Sequence, residues 1–372
     1  MSAPDSEFRS LGHTRRSPGV AALTDRTGRM GRLHAVKGAM RRGVALAASI
    51  GLELALTNTA LAAGGPAPQR EAGAWDRAVE AAANQSWPEA VTQFRLAVEA
   101  DPESGALRLK FGAALEGVGD ARGALEQYEE ALRLDSRLAR AHYGMAALLE
   151  RVGRDDEAIE RYTAALAVDS TFGAAHLKLA DALRRTDRLE LALSHYRRVI
   201  ELEPSTRRRT LTGPEVEDGR FGEAMTLVRL GRYAEARDSL IIAMRIHPNQ
   251  PAFSHALARV FAAAPDDHVR DGARAWELVK ALPDGHEHPA VFETMAMALA
   301  ELGHFDLAID WQRLAMSAAA RAGRPDVAQQ MAASLARYLL RQPCRTPWRD
   351  DDPDHRPGPS VDLGLFDRSS SR

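Results

Sequence analysis

Residues 104–204 read SGALRLKFGAALEGVGDARGALEQYEEALRLDSR (104–137), LARAHYGMAALLERVGRDDEAIERYTAALAVDST (138–171) and FGAAHLKLADALRRTDRLELALSHYRRVIELEP (172–204). Stacked in this way, the three lines share one pattern. Ala124, Ala158 and Ala192 stand 34 residues apart, each followed four residues on by Tyr128, Tyr162 or Tyr196. Twelve residues before each alanine lies a small residue, Gly112, Ala146 or Ala180, with Phe111, Met145 or Leu179 in front of it. Leu115, Leu149 and Leu183 follow, and the lines close on Asp135-Ser136, Asp169-Ser170 and Glu203-Pro204. A fixed period in the thirties marks stacked supersecondary units, none of which buries its apolar face alone.

The pattern resembles the tetratricopeptide repeat, a pair of antiparallel helices per unit. The small residues of the first helix (Gly112, Ala146, Ala180) and of the second (Ala124, Ala158, Ala192) match the places where that family packs helix A on helix B. Gly119 and Gly153 stand in the turn between the helices, where positive φ is needed, with Asp187 in their place in the third line. Pro102, Pro204 and Pro248 end second helices, because proline cannot continue one. The family's tryptophan near the start of helix A is replaced by Arg108, His142 and His176. The resemblance implies an all-α fold, a right-handed α-solenoid whose helix A faces line a concave groove for a protein or peptide partner.

The register extends in both directions and predicts about seven units. A looser first copy runs through Trp75, Ala78, Ala90, Phe94 and Asp101-Pro102, so residues 71–204 hold units one to four. After Pro204 the register slips by ten residues, judged from Ala192 to Ala236, which places an insertion loop at 205–217 with Arg207, Arg208 and Arg209. Units five to seven, 218–320, resume through Ala224 and Ala236, Ala258 and Ala275, and Ala296 and Ala308. Asp266 is expected to cap the second helix of unit six. A capping helix at 321–342 places Val327, Met331, Leu335 and Leu339 on its apolar face. Residues 343–372, rich in Pro, Asp and Ser, are expected to be disordered. The run from Leu257 to Trp348, with Ala264-Pro265-Asp266 and Pro343-Cys344-Arg345-Thr346-Pro347-Trp348, looks like the tail of exported bacterial tetratricopeptide proteins.

Before the array, residues 1–29 are polar and aperiodic, to be read as disordered or as untranslated if the chain starts at Met30 or Met40. Residues 30–62 read as a signal peptide: Arg32, Lys37, Arg41 and Arg42 precede an apolar run from Val44 to Leu56 and an A-x-A ending at Ala62. Glu53 interrupts that run, which is too short for a membrane span. The reading predicts a periplasmic or secreted protein with no stable membrane span after cleavage, and a cytoplasmic one if it fails. A Gly/Pro linker at 63–70 follows. The chain has 49 Lys+Arg against 51 Asp+Glu, and nine of the basic but only four of the acidic residues fall before Ala63. A mildly acidic array without a Lys/Arg block argues against nucleic acid as the ligand.

Catalytic signals are nearly absent, and no enzyme is expected. The single cysteine, Cys344, forms no internal disulfide and has no base beside it in sequence. His286-Glu287-His288 offers two imidazoles, but zinc needs three or four ligands and no CxxC or HExxH supplies the rest. His142 and His176 occupy equivalent places one unit apart. No cofactor or metal is predicted. The candidate binding residues are those of the helix A face: Tyr143, Glu150, Arg151, Leu177, Asp181, Arg184, Arg185, Phe221, Met225 and Arg229. Leu109 and Arg140 extend the same register toward the start of the array. The arginines either fork onto a partner's carboxylate beside the aromatics Tyr143 and Phe221, or pair with Glu150 and Asp181 inside the chain. Two other readings stay open: an accessory subunit of an exported redox or cell-envelope enzyme using Cys344 or the histidines, and self-association through end repeats.

Overall fold

The computed structural model describes residues 69–202, 213–282, 288–349 and 352. The leader, its alternative starts, His286, Glu287 and the arginines 207–209 lie outside the described residues. Among the described residues there are fifteen helices and no strand. They form seven pairs and a last helix: α1 (Gln69–Ala83) with α2 (Trp87–Ala100), α3 (Gly105–Val118) with α4 (Ala121–Leu134), α5 (Ala139–Arg151) with α6 (Asp155–Val168), and α7 (Gly173–Arg185) with α8 (Leu189–Leu202). Then come α9 (Gly213–Arg229) with α10 (Tyr233–Ile246), α11 (Pro251–Ala263) with α12 (Gly272–Lys280), α13 (Pro289–Glu301) with α14 (Phe305–Arg321), and α15 (Pro325–Leu339). Each helix packs on the next, and first helices also meet across units, α3 on α5, α7 on α9 and α11 on α13. The chain is therefore an all-α solenoid of helix pairs.

Local chemistry sets the ends of the helices. Ser104 and Asp120 accept backbone N–H bonds from Leu107 (3.4 Å) and Gly123 (2.9 Å), capping α3 and α4. The turn within a pair requires a left-handed residue: Gln85, Gly119, Gly153 and Asp187 have φ of 58°, 86°, 74° and 64°, at the 34-residue period. Because a glutamine and an aspartate are forced into the same conformation, the packing of the pair dictates the turn rather than the reverse.

The core lies between the helices of a pair and the first helix of the next pair. Tyr128 on α4 is held between two glycines: a Cβ on Gly112 or on Gly144 would meet its ring at 2.6 Å. Gly112 belongs to the same unit and Gly144 to the next, so one ring fastens two units. Tyr162 and Tyr196 share a continuous buried cluster with Ala146, Ala158, Ala180, Ala192, Leu149 and Leu183. Tyr196 also presses on Gly222 of α9, which spans the slip in register after Pro204.

Five boundaries and placements differ from the sequence reading. Helix α1 already begins at Gln69, inside the expected linker 63–70. Helix α9 begins at Gly213, so the last five residues of the expected loop 205–217 are helical. Asp266 does not cap α12; it takes the N–H of His268 at 2.9 Å, and Asp271 caps α12 by accepting from Arg274 N–H at 2.9 Å. On α15, Tyr338 rather than Leu339 is buried, and Leu339 is 57% exposed, because Tyr338 closes onto the segment that follows. That segment is the largest correction: residues 343–349, expected to be disordered, pack onto α11 and α13, with Cys344, Pro347 and Trp348 buried.

Two substitutions test this packing. Gly144→Ala drives a methyl into a ring that Gly112 blocks from behind, and overpacking of this kind costs about 1–3 kcal/mol. Gln85→Gly removes left-handed strain and is expected to stabilise the chain by up to about 1 kcal/mol. Urea unfolding followed by far-UV circular dichroism reads both, with midpoints moving in opposite directions.

Candidate functional site

Counting from the small residue of each first helix, the positions three before, one after and five after it share one face. In units three to five they are Tyr143, Ala147 and Arg151; Leu177, Asp181 and Arg185; Phe221, Met225 and Arg229. In units six and seven the same positions hold His255, Arg259 and Ala263, then Glu293, Met297 and Glu301. These two sets have different surroundings.

In units three to five most of the polar groups are used inside the chain. Each core tyrosine donates its hydroxyl to an acid of its partner helix: Tyr128 to Glu116 at 2.5 Å, Tyr162 to Glu150 at 2.8 Å, Tyr196 to Asp181 at 2.6 Å. Where the period calls for an acid at position 184 the chain has Arg184, and the acid stands nearly one turn earlier, at Asp181. The Arg185 guanidinium reaches Glu150 at 3.1 Å and Asp155 at 2.8 Å, both in the preceding unit. Arg229 donates to the carbonyl of Arg184 and to Asp187, each at 2.6 Å, again one unit back. Of the two fates open to these arginines, Arg185 and Arg229 therefore take pairing between units. Glu150, Leu177, Arg184 and Met225 are buried rather than open to a groove. Tyr143 sits against Tyr162 and Phe172, with ring centroids at 5.5 and 5.1 Å, and Phe221 lies 6.3 Å from Phe253. Arg151 and Asp181 are half-buried on the same face.

What stays open is a cleft of about 310 Å³ at the starts of α5 and α7, with Leu109, Leu138, Val168 and Phe172 as apolar wall and Arg137, Arg140 and Asp169 beside them. Its shape suits one apolar side chain next to a polar group. Sequence reasoning placed Leu109 and Arg140 on this face, but missed Leu138 and Phe172, which stand 34 residues apart at helix N-cap positions, one turn ahead of the face residues that were counted.

In units six and seven the same face is filled by the chain itself. Arg259, 2% exposed, donates through Nε to the carbonyl of Pro347 at 2.7 Å and through both Nη atoms to Glu293 at 3.3 Å. Glu293, 1% exposed, also accepts from Arg349 at 2.7 Å. Glu301 accepts from Arg345 at 2.6 Å and from Arg270 at 3.0 Å. The Trp348 ring lies 5.3 Å from the Arg259 guanidinium carbon, a cation–π contact. Arg259 and Glu293 are thus a buried ion pair completed by residues 347–349. No periodicity connects those residues to the array, so this site was not readable in the sequence.

The remaining histidines singled out here and Cys344 have partners inside the chain. His176 and His195 bring their Nδ1 atoms to 2.9 Å, one donating to the other, and burial with the neighbouring imidazole holds His195 down at about 4. His288 accepts the N–H of Ala290 and caps α13. Cys344 directs its thiol to the Thr346 carbonyl at 3.4 Å. Among the described residues no three His, Cys, Asp or Glu side chains are gathered to hold a metal.

The fold defines a class, the α-solenoids of stacked helix pairs. Within that class, the tetratricopeptide repeat profile matches residues 174–206, across α7 and α8, so the fourth unit has the sequence of a tetratricopeptide repeat. No curated protein matches the sequence. Similar solved structures include YrrB, described as a TPR protein with an unusual peptide-binding site (19% identity, 64% of this chain and 97% of that one, TM-score 0.41). A tetratricopeptide repeat protein from Parabacteroides merdae is 14% identical over 73% of this chain and 100% of its own, with a TM-score of 0.47. PilF of Pseudomonas aeruginosa is 16% identical over 62% and 98%, with a TM-score of 0.47. At these identities no ligand or role carries over.

Burial pushes the Glu116 carboxyl up to about 7, against the opposing effects of the Tyr128 hydrogen bond and the Arg151 charge. Its folded value lies above the unfolded one, so its contribution is full below about pH 4.5 and lost as pH rises through 7. Glu116→Gln is expected to remove about 2.5 kcal/mol of decline in stability between pH 5 and 8, read as the difference from wild type in the free energy of urea unfolding. At the second site, Glu293→Ala strands Arg259 without its carboxylate and is expected to cost about 3–5 kcal/mol in the same assay.

Proposed function

We propose that the chain is a non-catalytic scaffold that holds a non-helical segment of a partner protein against the first-helix face of units two to four. The observation that carries this reading is the seat of residues 343–349, which occupy the equivalent positions of units six and seven by backbone and side-chain contacts. Stacked first helices of this chain can therefore seat a non-helical segment along their common face. In units two to four the cleft between Leu109, Leu138 and Phe172, beside Arg137, supplies the place for an apolar anchor. The leader read at 30–62 supports a place of action in the periplasm or outside the cell.

The test is position-specific crosslinking. A photoreactive residue at Arg137, on the cleft, is expected to capture the partner in its native compartment, while one at the exposed Glu160 of α6 is expected not to. Capture from position 160 and not from 137 would sink the assignment.

A further inference from the structure

Residues 345–349, Arg-Thr-Pro-Trp-Arg, are bound by the array as a ligand is bound. Their two arginines engage two carboxylates of one helix, Glu293 and Glu301, eight residues apart on α13. The Pro347 carbonyl satisfies the Nε of Arg259, and the Trp348 ring covers the same guanidinium. With the segment removed, Arg259 would lose an acceptor. Each carboxylate would keep one arginine, Arg259 on Glu293 and Arg270 on Glu301, and lose the one on its other oxygen. An empty face with those buried groups half-satisfied would be costly to leave unfilled. A segment of the same chemistry would fill it at little net cost.

A short connection joins the segment to α15. Leu340 to Cys344 make up this connection, with Arg337 Nε donating to the Pro343 carbonyl at 3.3 Å; Leu340 is 71% exposed, and Arg341 has φ 56°, a left-handed conformation for a non-glycine residue. Arg345 and Arg349 keep 35% and 25% of their side-chain surface in solvent, whereas their acceptors Glu301 and Glu293 keep 17% and 1%. An incoming segment meets the resident one at its exposed edge.

We propose that the first-helix face of units six and seven is a binding site for an Arg-x-Pro-Trp-Arg segment, that residues 345–349 are its resident occupant, and that a partner protein presenting such a segment displaces them. This site is separate from the cleft of units two to four, and its test does not depend on that assignment.

Cys344, the only thiol of the chain and 4% exposed, reports on displacement in the unmodified full-length protein. Its reaction with a disulfide reagent is followed with and without a synthetic peptide of residues 342–349 carrying serine in place of the cysteine. Saturating peptide is expected to accelerate labelling at least fivefold, while the same peptide with glutamate for both arginines leaves the rate unchanged. In full-length Arg349→Glu, labelling without peptide is expected to be at least tenfold faster than in wild type. A fluorescent wild-type peptide is expected to bind that variant at least tenfold more tightly than it binds the native chain. Arg345→Ala, a more exposed change, repeats the measurement should Arg349→Glu fail to fold. Labelling that peptide does not accelerate, or that occurs only at the rate of global unfolding, overturns the proposal. Native dimers that dissociate on adding peptide also overturn it, since the occupant in trans would then be a second copy.

Discussion

The regular middle of this array depends on a ring set against first helices that carry only small residues at the contact. Tyr128 is large, flat and polar at its tip; Gly112 and Gly144 let two first helices approach its two sides. The ring buries apolar area, and its hydroxyl, which burial would otherwise leave unsatisfied, is taken by Glu116. The arrangement repeats at Tyr162 and Tyr196 with Glu150 and Asp181. Because each ring is shared between neighbours, units are held by contacts of short sequence separation, and stability spreads along the stack as a sum of neighbour terms.

That constraint explains which parts of the protein were legible. Steric demand repeats, so small residues, tyrosines and turn residues recur at 34 and mark the pairs in the bare order of amino acids. The turn shows how strict the demand is, since Gln85 and Asp187 accept left-handed backbone where glycine is absent. Side-chain fate on the outer face does not repeat. Arg185 and Arg229 stand at equivalent positions, yet one bridges to two carboxylates and the other to a carbonyl and Asp187. The spacing does not say which acid an arginine meets, because Glu150, Asp155 and Asp187 all belong to the preceding unit and come within reach only when the units stack. The seat of residues 343–349 was hidden for the same reason. Pro, Cys, Arg and Trp in a short irregular run look like a loose end until Glu293 and Glu301 are seen to take their second arginines from it.

The charged face therefore has two roles. In the middle of the stack, arginines link one unit to the one before it, which fixes the relation of neighbouring units and leaves the apolar cleft near Leu109 and Phe172 as the open feature. Toward the C-terminus, the buried pair Arg259–Glu293 needs a third party, since burying two charges is favourable only when their remaining hydrogen-bonding capacity is met. Pro347 and Arg349 meet it.

The docking of residues 343–349 also bears on how an array of this kind changes length over evolutionary time. Repeat proteins grow by tandem duplication, and between units two and four an extra 34 residues would keep the spacing of the tyrosines, turns and small residues. A copy inserted after unit seven would not be neutral. It would carry Arg345 and Arg349 one unit away from Glu301 and Glu293, and leave Arg259 without the Pro347 carbonyl. The array is thus open to duplication in its regular units and closed to it where residues 343–349 fold back, so divergence in repeat number among its descendants should accumulate upstream of unit six.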